Sequence, residues 1–156
     1  MNLYQSLSKY DYKQNLERFT LTITLDDGYK DNLFALKVFE KYNIPFVLYI
    51  TTGLIDQENY LTKDEILELS KSKLCTLGTH SVTHPHLDTL NYDEQFRELK
   101  DSKEFLENIL GYEVIHMSYP HGSFNQDTIQ IIKKLGYKFV SSSYIGLNTS
   151  ENVDLI

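Results

Sequence analysis

The stretch Phe19-Thr20-Leu21-Thr22-Ile23-Thr24-Leu25-Asp26-Asp27-Gly28 decides the architecture. Its apolar residues alternate with threonines, the period-two pattern of a strand with one buried face. Two carboxylates and a glycine end it. Adjacent side chains on a continuing strand point to opposite faces. For Asp26 and Asp27 to reach one place, the strand must stop there, and Gly28 supplies the flexible turn. Taken alone, the triplet also reads as a solvated Asp-Gly turn.

Working outward, strand and helix signals alternate along the chain. A helix is predicted from about Asp31 to Tyr42, with Asn43 as a left-handed cap before Pro45, then a short apolar strand over Phe46 to Thr51. Thr62 and Glu65 form a capping box with Leu61 and Ile66 at the staple positions. Leu74 to Thr79 reads as a third strand that ends at His80. Asn91 and Glu94 start a long helix whose buried stripe is Phe96, Leu99, Leu106 and Leu110, and Gly111 stops it. Val114 to Tyr119 is a fourth strand. Asn125 caps a helix carrying Ile129, Ile132 and Leu135, stopped by Gly136, and Tyr137 to Ser142 is a fifth strand. Such alternation implies an α/β fold of parallel strands joined by right-handed crossovers. Functional residues then gather at the carboxyl ends of the strands. Asp26, Asp27, His80, His84 and the turn Pro120 to Gly122 all follow strands.

The chain has 156 residues, enough for one domain with a real core. Residues 1–18 are polar and tyrosine-rich and read as an N-terminal extension; 19–156 read as one domain, whose last residues, from Gly146, are weakly patterned. A net charge of -7 and no basic patch argue against a nucleic-acid partner. No apolar run reaches the ~20 residues of a membrane span, and no h-region marks a leader, so the expected location is cytoplasmic. The single cysteine, Cys75, reads as a small core residue.

His80 and His84 are four residues apart, with Pro85 directly after them. Proline disfavours a helix through this segment, so the pair belongs to a loop that lets both imidazoles chelate one ion. Two imidazoles and a carboxylate form an open metal shell with room for water, and the second carboxylate is free to act as a base. The competing reading is a surface loop with incidental histidines. His86 is expected to be aimed elsewhere by the Pro85 turn, and His116 is expected to be a satisfied core histidine. The turn Tyr119-Pro120-His121-Gly122 suits presentation of a backbone N–H to a substrate oxygen. Of the 12 tyrosines, Tyr119 is the one placed near the site.

These residues resemble the polysaccharide deacetylase family, the NodB-homology group of carbohydrate esterases. Thr24-Leu25-Asp26-Asp27-Gly28 resembles its first motif and His80-Ser81-Val82-Thr83-His84-Pro85 its second; Ser118-Tyr119-Pro120-His121-Gly122 resembles the third in loosened form. The resemblance runs from about Thr20 to Tyr144. It implies an irregular seven-stranded (β/α) barrel, here incomplete with about five strands evident, and allows truncation at the C-terminus or completion by a second copy in a homodimer. It implies a metal-dependent hydrolase that releases acetate from the N-acetyl groups of amino sugars in a polysaccharide or its precursor. Asp26 would be the catalytic base, and Asp27, His80 and His84 the ligands of a divalent metal, zinc first and cobalt, nickel or iron as alternatives. The His121 backbone N–H would hold the oxyanion, and Tyr119 and Pro120 would line the glycan site.

Two departures stand out. Ser118 occupies the place of an arginine that orients the base, and no histidine follows His121 or precedes His80 to serve as proton donor. They motivate a rival expectation, a catalytically impaired relative that binds glycan or a partner without turnover. A third reading is a metallohydrolase acting on another amide or ester.

Overall fold

A computed structural model describes residues 21–144. The predicted N-terminal extension, the first two residues of the predicted opening strand and the C-terminal tail lie outside the described residues. The five predicted strands and four predicted helices all form. They are β1 (Ile23–Leu25), α1 (Asn32–Tyr42), β2 (Phe46–Ile50), α2 (Lys63–Ser70), β3 (Cys75–Thr79), α3 (Tyr92–Leu110), β4 (His116–Ser118), α4 (Gln126–Leu135) and β5 (Phe139–Ser141).

Local chemistry sets the boundaries. The Thr62–Glu65 and Asn91–Glu94 pairs close as reciprocal capping boxes, and Asn125 forms a third box with Thr128. Asn43 ends α1 in the left-handed region at φ 53°, and Gly111 and Gly136 end α3 and α4 in the same way.

The strands are all parallel and lie in sequence order, β1-β2-β3-β4-β5. One face of the sheet carries the helices. Phe46, Leu48, Ile50, Cys75 and Leu77 pack there with Ile66 and Leu69 of α2 and Leu106 of α3. Met117 packs with Leu99 of α3 and Ile131 and Ile132 of α4. Each fully buried side chain of this kind contributes about 1.5–3 kcal/mol. With sequential order and helices on one side, the sheet curls as an arc of a barrel. The curl shows directly: Tyr49 on β2 reaches across to β5, its hydroxyl 2.9 Å from Ser141 Oγ. Gly78 makes room for that crossing, because a Cβ there would lie 2.6 Å from the Tyr49 ring and 2.8 Å from the His116 carbonyl oxygen.

The strands β3 and β4 pair only at Thr79 and Met117. In the fork beneath that contact is a hollow of about 250 Å³, bordered by Cys75, Thr76, Tyr112 and His116. Cys75 is buried as expected. His116 is buried and stacks on Phe139, yet its Nδ1 has no hydrogen-bond partner among the described residues, which corrects the expectation of a satisfied core histidine. No helix among the described residues is long and apolar enough to cross a membrane.

Candidate metal centre and active site

The ends of β1 and β3 deliver the candidate ligands to one point. Asp27 adopts φ 73° and Gly28 φ 82°, so the strand alternation breaks at the second carboxylate. The Asp27 carbonyl accepts from Thr51 N–H and the Gly28 carbonyl from Leu61 N–H, which ties the turn to the segments following β2. His80 continues the β2–β3 ladder by one step, its N–H bonded to the Ile50 carbonyl at 2.8 Å. The chain then turns at Ser81 (φ 62°) and again at His84 (φ 61°), which brings the second imidazole back over the first.

Asp27 Oδ1 lies 3.3 Å from His84 Nε2 and 3.7 Å from His80 Nε2, and the two Nε2 atoms are 3.1 Å apart. The three residues form a group able to hold a metal ion. A tetrahedral ion with bonds of about 2.0–2.1 Å sets its donor atoms about 3.3 Å apart, so the donor set fits. The outer contacts fit too. His80 Nδ1 is 2.8 Å from the Ser118 carbonyl oxygen, the bond that fixes the imidazole tautomer and turns Nε2 toward an ion. Desolvation pushes the His84 pKa below its ordinary value, aided by His80 and opposed by Asp27, which favours the neutral ring a metal requires.

Asp26 stands beside this cluster at the solvent rim. Desolvation lifts its carboxyl above the ordinary range; His80 opposes that shift and Asp27 adds to it. The Ser118 side chain hydrogen-bonds to the same carboxylate. Ser118 therefore contacts Asp26 through its hydroxyl and a candidate ligand through its carbonyl, at the position where the resemblance leads one to expect arginine.

The turn after β4 places His121 at φ 58° with its ring edge-on to His84, centroids 4.3 Å apart. His86 stacks on His121 at 3.9 Å and 13°. His86 thus stays out of the ligand group, as expected of a residue that Pro85 turns aside, and extends the row of imidazoles His80, His84, His121 and His86. Tyr119 turns inward, 6% exposed and stacked on Phe124, and Pro120 is buried, so little of the Tyr119 ring faces a ligand. A second aromatic pair follows the Asp27 turn, where the exposed Tyr29 stacks on the half-buried Tyr60 at 4.9 Å. Sequence spacing carries no signal for that pair, since an isolated bridge between distant loops creates it.

The larger surface hollow, about 440 Å³, borders Lys103, Glu107 and Tyr112 near the loop that enters β4, away from these ligands. Donor geometry, not volume, marks the site.

A parallel barrel arc with an Asp-His-His cluster at its strand ends defines a class, the (β/α) barrels with a candidate metal centre. The comparisons narrow it. The model of the family described as polysaccharide deacetylase matches residues 13–140, and the chain belongs to that family. It is 30% identical over 117 residues to YxkH of Bacillus subtilis (strain 168), a protein that bears the family's name, covering 74% of this chain and 42% of the relative. It is 25% identical over 139 residues to the peptidoglycan-N-acetylmuramic acid deacetylase PdaA of the same organism, covering 86% of this chain and 51% of the relative. Among solved structures, the Streptococcus pyogenes deacetylase PplD in complex with acetate superposes with a TM-score of 0.84 at 28% identity, covering 96% of this chain and 66% of that one. The chain thus spans about half the length of the curated relatives it matches.

Proposed function

We propose that this chain is the catalytic part of a metal-dependent carbohydrate de-N-acetylase, acting on N-acetylated amino sugars in a polysaccharide or its precursor. The observation that carries this reading is the convergence of Asp27, His80 and His84, donor atoms 3.1–3.7 Å apart, with a second carboxylate next to them. A divalent cation, zinc by preference for this donor set, would supply Lewis-acid activation of the acetyl carbonyl and of a water.

The chain's own residues do the rest. Asp26 takes a proton from the attacking water. The water oxygen bonds to the acetyl carbon. The His121 backbone N–H, on the turn after β4, donates to the oxyanion that forms. The C–N bond then breaks; the nitrogen gains a proton and leaves as the sugar amine, and acetate departs. The proton that Asp26 took from water passes to the nitrogen, directly or along the imidazole row at His121 and His86. The stacked Tyr29–Tyr60 pair offers a flat apolar face for the sugar ring.

The test is acetate release from N-acetylated oligosaccharides, with metal content measured on the same preparation. Asp26→Asn is expected to lower kcat by at least 100-fold while metal content holds; equal rates rule out this base. The absence of an arginine at Ser118 favours a second reading, glycan binding without turnover. It predicts metal and glycan binding with no acetate even at high protein concentration.

A further inference from the structure

The two-histidine loop is held in a demanding shape. Within four residues it contains two non-glycine residues at positive φ, Ser81 at 62° and His84 at 61°. Such backbone costs energy and persists only where surrounding contacts over-determine it. Those contacts come from two sides: the segment after β2 donates Thr52 N–H to the Ser81 carbonyl at 3.1 Å and Gly53 N–H to the Val82 carbonyl at 2.9 Å, and one face of α3 supplies the rest. Glu98 Oε2 accepts from the N–H groups of Val82 and Thr83, each at 2.9 Å, and Glu98 Oε1 accepts from Thr83 Oγ1 at 2.8 Å. One helical turn on, Ser102 Oγ is buried and donates to the Ser81 carbonyl at 3.0 Å. Residues four apart share a helix face, so one side of α3 presents an acceptor and then a donor to consecutive peptide units. The loop closes on itself as well, since Ser81 Oγ accepts from His84 N–H at 3.0 Å.

We propose that Glu98, assisted by Ser102, is a positioning residue that pre-forms the chelating loop, so that His84 Nε2 meets His80 Nε2 and Asp27 before any ion arrives. This rests on reading His80 and His84 as ligands of the proposed deacetylase. Neither residue touches the candidate ion site. A carboxylate suits the task because it accepts all three hydrogen bonds without a donor of its own. Glutamine would turn an N–H₂ group toward one of the N–H or O–H donors.

The experiment compares wild type with Glu98→Gln and Glu98→Ala, and uses Glu94→Gln as a control. Glu94 lies on the same helix but serves only its capping box. Zinc affinity is measured by competition titration, and amide exchange at Val82 and Thr83 by NMR on the metal-free protein. Both Glu98 variants are expected to raise the zinc Kd by about 10–100-fold. They are also expected to lose exchange protection at those two amides. Glu94→Gln is expected to lower the melting temperature and keep the Kd within twofold. Wild-type Kd in Glu98→Gln, or unchanged protection at Val82 and Thr83, overturns the proposal. A wild-type protein that binds no zinc sinks the metal reading, while the metal-free exchange data still decide whether Glu98 holds the loop.

Discussion

Ser118 shows how one small residue can serve two neighbours. Its main chain holds His80 and its hydroxyl meets Asp26, so the side chain can be changed without touching the ligand's bond. A hydrogen bond to a charged group is worth about 1.5–3 kcal/mol. Ser118→Ala is therefore expected to lower kcat by tenfold or more, with KM and zinc Kd within twofold, and Ser118→Thr to restore most of it; steady-state kinetics on the three proteins checks this. At this scale the sequence was informative where identity and chain position were enough. The acidic pair, both histidines of the loop and the left-handed cap at Asn43 could be read directly. The stacking partner of a side chain beyond a proline could not. His86 turns back to stack on His121 because two loops approach, and no local pattern encodes that approach.

Among the elements, the capping boxes made helix starts legible, since their hydrogen bonds join residues three apart. What α3 does with its inner face was not legible. Gln95, Ser102 and Lys103 are buried there alongside the expected Leu99 and Leu106, because their partners come from distant segments. His116 on β4 belongs to the same lesson and has a measurable effect. Burial alone drives its pKa down to about 4 from the ordinary 6.5. A depressed histidine contributes stability that is complete above the unfolded value and is lost as pH falls through the folded one. Between pH 6.5 and 4 this group should withdraw on the order of 3 kcal/mol. His116→Phe, which keeps the stack on Phe139, is expected to flatten that part of the stability–pH curve, as urea titrations at stepped pH would show.

For the molecule as a whole, sequential strand order makes the site a product of the fold's ends rather than of any one segment. The α/β class followed from alternating signals and the barrel type from the family resemblance, while the curl of the sheet was not legible, because it depends on a glycine on β3 paired with a tyrosine on the neighbouring β2. An ion held by both β1 and β3 should bind the folded chain and not the unfolded one. Zinc at 100 times its Kd is therefore expected to stabilise the protein by about 2.7 kcal/mol, and a chelator to reverse it, both read as melting-temperature shifts.

The Tyr49 ring, almost wholly buried and tied to Ser141, has a last implication. The ring fills the inner side of the arc between β2 and β5, where it lies against the Gly78 backbone. If the chain is the deacetylase proposed above, an acetylated sugar comes to the strand ends from the open side with its acetyl group leading, and a long glycan lies along the rim rather than threading through.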